Sequence, residues 1–242
     1  MIKLGIILSL ISFNAAAAFV SQKDASVIAL ATPEVLQPYQ GAPPAIQLTI
    51  AQKEQLAQGK AVYPPLVDNK DGGSATAVFK VNAPAEFIWK AISQFDQYPN
   101  WVDGVKKTNH YKPAEGDSVY IQFTVGKWFT PSYTYHIIHN FPKLKTGWGT
   151  WTLDTSQSND LVNCRGFWRV TPAINNLNQS IVEYSVDLKG KGIMMEIARP
   201  ALLKDGVENA TSWVSKQAEV VFVEHVKLTQ KPLAENTIGI TD

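Results

Sequence analysis

One cysteine in 242 residues is the sharpest shortage in this chain. Cys164 has no second thiol to meet, so an internal disulfide framework is excluded. Four histidines at positions 110, 136, 139 and 225 join that lone cysteine without any zinc-ligand spacing. No metal and no cofactor are therefore expected. Surplus charge is also missing: 22 Lys and Arg stand against 21 Asp and Glu, with no run of either sign. That balance removes the electrostatic footing for nucleic-acid binding, and no nucleic-acid partner is expected. The apolar stretch from Leu4 to Phe13 is short of the roughly 20 residues that cross a bilayer.

Aromatic side chains are plentiful: 7 Trp, 8 Tyr and 10 Phe within a 45% apolar composition. Stability must come from a hydrophobic core, and this composition supplies one. The length suits one domain with an extension. At the start, Lys3, the apolar stretch and Ala16-Ala17-Ala18 read as a secretory signal peptide over residues 1–18, and secretion is the expectation.

Residues 19–73 form an arm rich in Pro and Gly, as in "TPEVLQPYQGAPPAIQ" and "VYPPLVDNKDGG". Within it, Thr49 followed by Gln52 predicts a capping box, and Gly59 stands where a helix C-cap belongs. A domain is expected over 74–228 and a tail over 229–242. "ATAVFKV" alternates as a strand. In "VNAPAEFIWKAISQFDQYPNWVDGV", Asn82 is expected to cap a helix and Pro84 to lie in its first turn. Phe87, Ile88, Ala91, Ile92 and Phe95 recur at helical spacing; Pro99 is expected to stop the helix, with a short helical turn following to Gly104.

The period then changes to two. "SVYIQFTV", "SYTYHIIHN", "TGWGTWTLD", "LVNCRGFWRV" and "SIVEYSVDLKG" predict five or six antiparallel strands with one apolar face. The expected inward set is Phe79, Val81, Phe123, Val125, Trp151, Leu153, Val162, Cys164, Trp168, Val170, Val182, Tyr184, Val186 and Leu188. It has no Asp, Glu, Lys or Arg; Glu183 and Asp187 fall on the opposite face. Arg165, Phe167 and Arg169 share that opposite face, expected to be solvated, with an anionic headgroup as the other use of the arginines. His136 and His139 fall on opposite faces, so they cannot share a metal. The closing segment "RPALLKDGVENATSWVSKQAEVVFVEHV" carries an apolar stripe of Leu203, Val207, Ala210, Val214, Ala218 and Val221, which must be buried against the sheet.

The stretch 81–105 resembles the opening motif of the START-like superfamily, also called SRPBCC or the helix-grip fold. It includes polyketide cyclase/dehydrase-like and coenzyme Q-binding members. The motif elements are Asn82-Ala83-Pro84-Ala85, Trp89, Phe95-Asp96, Tyr98-Pro99, Trp101 and Gly104-Val105. "LTIAQKEQLAQGKAV" is similar to the leader that precedes this domain in secreted bacterial members, which places the expected location in the periplasm. The resemblance spans about 74–225 and implies an α+β fold, a curved antiparallel sheet wrapped around a long C-terminal helix with an apolar cavity between them.

The expected cavity residues are Phe123, Val125, Trp151, Cys164, Trp168, Tyr184, Val186, Val207 and Val214. Tyr98, Trp101, Ile193, Met194 and Met195 are expected at its mouth. Such a lining suits a hydrophobic small molecule or lipid, with Tyr184 as a polar handle for a carbonyl or hydroxyl. The alternative is a polyketide cyclase/dehydratase-like enzyme, for which His139 or Tyr184 would be the acid or base. The Met-rich loop at 193–195 and the aromatic pair Trp128-Phe129 are candidates for transient membrane contact.

Overall fold

The computed structural model describes residues 36–65, 67–69, 72–126, 132–141, 147–189 and 204–229. The expected signal peptide, Trp128, Phe129, Ile193, Met194, Met195 and the tail beyond Thr229 lie outside the described residues. Helix α1 (Ile50–Ala57) precedes strands β1 (Val67–Asn69) and β2 (Gly72–Val81). Helix α2 (Ala85–Ser93), a 3-10 turn (Phe95–Gln97) and the short helix α3 (Tyr98–Trp101) follow. Strands β3 (Val105–Glu115), β4 (Ser118–Val125), β5 (Tyr133–Asn140), β6 (Trp148–Leu153), β7 (Asn163–Ala173) and β8 (Asn176–Lys189) lead to helix α4 (Lys204–Thr229).

The strands form one antiparallel sheet in the order β1-β2-β8-β7-β6-β5-β4-β3. Strands β3 to β8 run as a meander, and β8 returns beside β2, which precedes α2 and α3 in sequence. The fold is therefore α+β, and α4 packs against α2 and β2 as the helix-grip arrangement requires. Val207, Val214 and Ala218 from the expected stripe are buried in that contact, and Phe87 of α2 meets Phe222 of α4 at 5.1 Å. Burying a side chain of this size contributes ~1.5–3 kcal/mol before entropy is counted.

Local signals hold in the arm. Thr49 Oγ1 accepts from the Gln52 backbone N–H, the Gln52 side chain accepts from the Thr49 N–H, and Gly59 follows α1 at φ +79°. Two expectations at α2 are corrected. The N-cap is Pro84, which has no side chain to accept a bond; Asn82 instead donates to Glu219 Oε1 at 3.2 Å and fixes α4 to the corner before α2. The helix ends at Ser93, well before Pro99, which sits in the first turn of α3, where its missing N–H costs nothing.

The outer sheet face is not solvated as expected. Arg165 pairs with Asp187 at 2.7 Å and Arg169 with Glu183 at 2.8 Å. The same guanidinium groups donate to the arm: Arg165 to the Gln37 carbonyl at 2.9 Å, and Arg169 to the carbonyls of Pro43 and Pro44. Tyr39 lies edge-on to Phe167, with Arg165 4.8 Å over its ring. An arginine has enough donors to hold a carboxylate and a carbonyl together, so these two are fastenings for the arm rather than a headgroup clamp. Leu56, Val62 and Val78 close a second small core beneath α1.

Candidate functional site: an uncharged aromatic chamber

Directly opposed residues of an antiparallel ladder share a face, so the register fixes the inner lining. One row crosses six strands as Val119, His139, Trp151, Gly166, Val186 and Ala75. The next joins Gly149, Trp168, Tyr184 and Ala77; on the other side of the first row, past Ile121 and Ile137, Phe123 faces Tyr135. Gly166 is required here. A Cβ on it would collide with the Trp151 indole and the Ser185 carbonyl, so the missing side chain lets Trp151 lie flat across β7.

Aromatic rings line this face. Trp151 stacks on Tyr184 at 5.5 Å, Trp168 meets Tyr184 at 4.5 Å, and Phe123 stacks on Tyr135 at 5.5 Å. His139 sits among Phe95 (4.4 Å), Phe141 (5.8 Å) and Trp151 (6.3 Å), with neither ring nitrogen bonded. Burial alone pushes its pKa down to about 3, so the ring is neutral. Burial likewise pushes the Cys164 thiol up to about 12 and raises the hydroxyls of Tyr98, Tyr135 and Tyr184 well above the usual tyrosine range.

The three tyrosines differ in their partners. Tyr98 donates to the Ile92 carbonyl at 2.6 Å and so ties α3 to α2. The hydroxyls of Tyr135 and Tyr184 have no hydrogen-bond partner among the described residues. Both rings are held deep enough to lose bulk solvation, yet each keeps surface that a water-sized sphere reaches. The expected cavity residues Phe123, Trp151, Cys164, Trp168, Tyr184 and Val186 gather on this face; Val207 and Val214 sit in the core on α4. Val125 is half-buried at the end of β4, opposite Val105 and Tyr133.

Tyr98 and Trp101 both contact Trp213 of α4, at 4.8 and 5.9 Å. Trp101 also lines an open surface cleft of about 480 Å³ made by residues 99–106 and Gly126. Trp101 thus touches both that cleft and Trp213 of the inner aromatic cluster. Three lining residues were absent from the expected set: Tyr135, Trp213 and, as a lining group, His139. Two-residue spacing in "SYTYHIIHN" puts Tyr135 and His139 on one face, and the pairing of Tyr135 with Phe123 makes that face the inner one. Val162, expected inward, is 41% exposed because β7 begins only at Asn163. His136 faces the other way, bonded to Gln122 at 2.9 Å and Asn159 at 3.2 Å. Among the described residues no group of His, Cys, Asp and Glu is placed to hold a metal.

A family profile described as "Polyketide cyclase / dehydrase and lipid transport" matches residues 81–212, more than half of the chain. The chain belongs to this family. Its fold is similar to that of a solved protein from Thermus thermophilus, 11% identical, with a TM-score of 0.51 over 61% of this chain and 98% of that one. An aromatase/cyclase from a Streptomyces species is 13% identical over 60% of this chain and 93% of its own, with a TM-score of 0.49. A START superfamily protein from Mycobacterium smegmatis is 15% identical over 61% and 98%, with a TM-score of 0.48. A search of curated proteins finds no match. Family and fold together support a START-like protein that binds a hydrophobic ligand or acts as a polyketide cyclase does.

Proposed function

We propose that this protein is a secreted, periplasmic carrier that holds a hydrophobic small molecule between its inner sheet face and α4, and passes it between membranes. The observation that carries this reading is the charge-free inner lining. Among the described residues, no Asp, Glu, Lys or Arg projects from the inner strand rows, and the titratable groups there are held neutral. A lining of this kind binds by removing apolar surface from water. Each buried methylene contributes ~0.8 kcal/mol, so about ten suffice for tight binding without a charged contact. Trp101, between cleft and chamber, is the proposed door. Identifying what leaves the purified protein on solvent extraction tests the proposal: an apolar compound in stoichiometric amount supports it. Repeated preparations that yield no such compound and take up no added lipid count against it.

The cyclase-like reading has the two unbonded tyrosine hydroxyls in its favour. Against it, efficient proton transfer uses a group whose pKa lies near the working pH. Here burial moves His139 to about 3 and raises both tyrosines.

A further inference from the structure

Three fully buried side-chain polar atoms lack a hydrogen-bond partner among the described residues: Trp89 Nε1 and both ring nitrogens of His139. The two side chains belong to residues only 3% and 7% exposed, so bulk water does not stand in for the missing partners. Buried polar groups are nearly always bonded, and an unpaired one costs free energy. Both side chains border the same ring. Phe141 stacks on His139 at 5.8 Å, with the planes 10° apart, and meets the Trp89 indole edge-on at 6.1 Å. Phe95 closes another side at 6.1 Å. Gly149 lies behind: a Cβ there would run into the Phe141 ring, so β6 makes room for that ring by omitting a side chain. The socket fits a six-membered ring, yet it has polar walls that a phenyl ring cannot satisfy. Phe141 is half-buried and lies one residue past the end of β5, so its side chain can turn out without breaking a strand hydrogen bond.

Resting on the carrier reading, we infer that Phe141 plugs a hydroxyl-binding subsite whose polar walls are His139 and Trp89, and that the hydroxyl-bearing end of an apolar ligand takes its place when the ring turns out. A neutral imidazole has one N–H and one lone pair, and an indole has one N–H. A hydroxyl complements both walls: it donates to the imidazole lone pair and accepts an N–H from imidazole or indole. An ether oxygen only accepts, so the imidazole lone pair stays unpaired beside it. A hydrocarbon end does no better than Phe141 itself.

The test is displacement of Nile red, an uncharged dye, from the full-length protein at pH 7.5 by 1-decanol, its methyl ether and undecane. Decanol is expected to compete about tenfold better than the ether, the worth of one hydrogen bond. His139→Phe should abolish that advantage while leaving undecane unchanged, and Phe141→Ala, which removes the plug, should tighten decanol several-fold. In the natural sequence labelled with nitrogen-15 at histidine, decanol should shift the ring-nitrogen signals that His139→Phe removes, and undecane should not. An ether that competes as well as the alcohol overturns the inference, as do His139 signals that decanol leaves unmoved. Should either variant fail to fold, the alcohol-to-ether ratio of the unsubstituted protein decides. Uptake of dye without any preference for decanol overturns the subsite alone. Failure to take up Nile red or any competitor overturns the carrier reading itself, and the subsite with it.

Discussion

His139 should make the stability of this fold depend on pH between about 6.5 and 3. Its ring is buried among aromatic neighbours, and neither nitrogen has a partner. The folded-state pKa of about 3 lies far below the ~6.5 of an exposed histidine. Above pH 6.5 both folded and unfolded chains carry a neutral ring, and His139 adds no pH dependence. Below 6.5 the unfolded chain binds a proton that the folded chain refuses, so stability falls as pH falls, until the folded pKa is reached. The slope is ~1.4 kcal/mol per pH unit, so descending from pH 6.5 to 4.5 removes about 2–3 kcal/mol. Against a total stability of roughly 5–15 kcal/mol that loss is large. The assay is urea unfolding at pH 7, 5.5 and 4.5 for the natural sequence and His139→Phe, which keeps an aromatic ring and removes the titration. The variant should lose about 2–3 kcal/mol less over that range. Parallel losses in the two proteins would refute the reasoning, because they would mean that His139 accepts its proton as readily folded as unfolded.

Gly166→Ala drives a methyl into the Trp151 ring and the Ser185 carbonyl, and should destabilise by about 3 kcal/mol or more, read as a lower urea midpoint with a changed near-ultraviolet circular dichroism. Arg165→Met leaves the mostly buried Asp187 carboxylate without its cation and the arm without a fastening. The expected cost is about 3 kcal/mol, with new protease cleavage within residues 36–48. Trp101→Ala should raise the release rate of a bound apolar dye several-fold with little change in unfolding midpoint, since Trp101 is only half-buried; stopped-flow dilution measures it.

Alternation of apolar and polar residues was enough to read the inner face of β7 and β8, because each strand buries one side under the helices. The same rule missed β3. Its side chains are mostly exposed, it lies at the sheet edge, and its register shifts at Val105/Lys107, His110/Lys112 and Lys112/Glu115 break the two-residue period. The capping box at Thr49 was legible because both partners lie within one helical turn. Asn82 was misread for the opposite reason: its partner Glu219 is 137 positions away, and a distant carboxylate outcompeted the local helix end. Arg165 and Arg169 looked solvated because nothing in a strand pattern announces that a proline-rich arm will lie across it. Tyr135 was overlooked since "SYTYHIIHN" mixes polar and apolar groups on both faces, and only the pairing with Phe123 reveals which face is inner.

Fluorescence quenching localised to the chamber tests the central claim most directly. The unsubstituted protein and a Trp151→Phe, Trp168→Phe variant are titrated with a brominated long-chain alcohol. The account predicts saturable one-to-one quenching that is largely lost in the variant, while an unbrominated alcohol still binds both. Quenching that never saturates, or that is equal in the two proteins, would show that the ligand stays on the surface and that the space between sheet and helix is not a binding chamber.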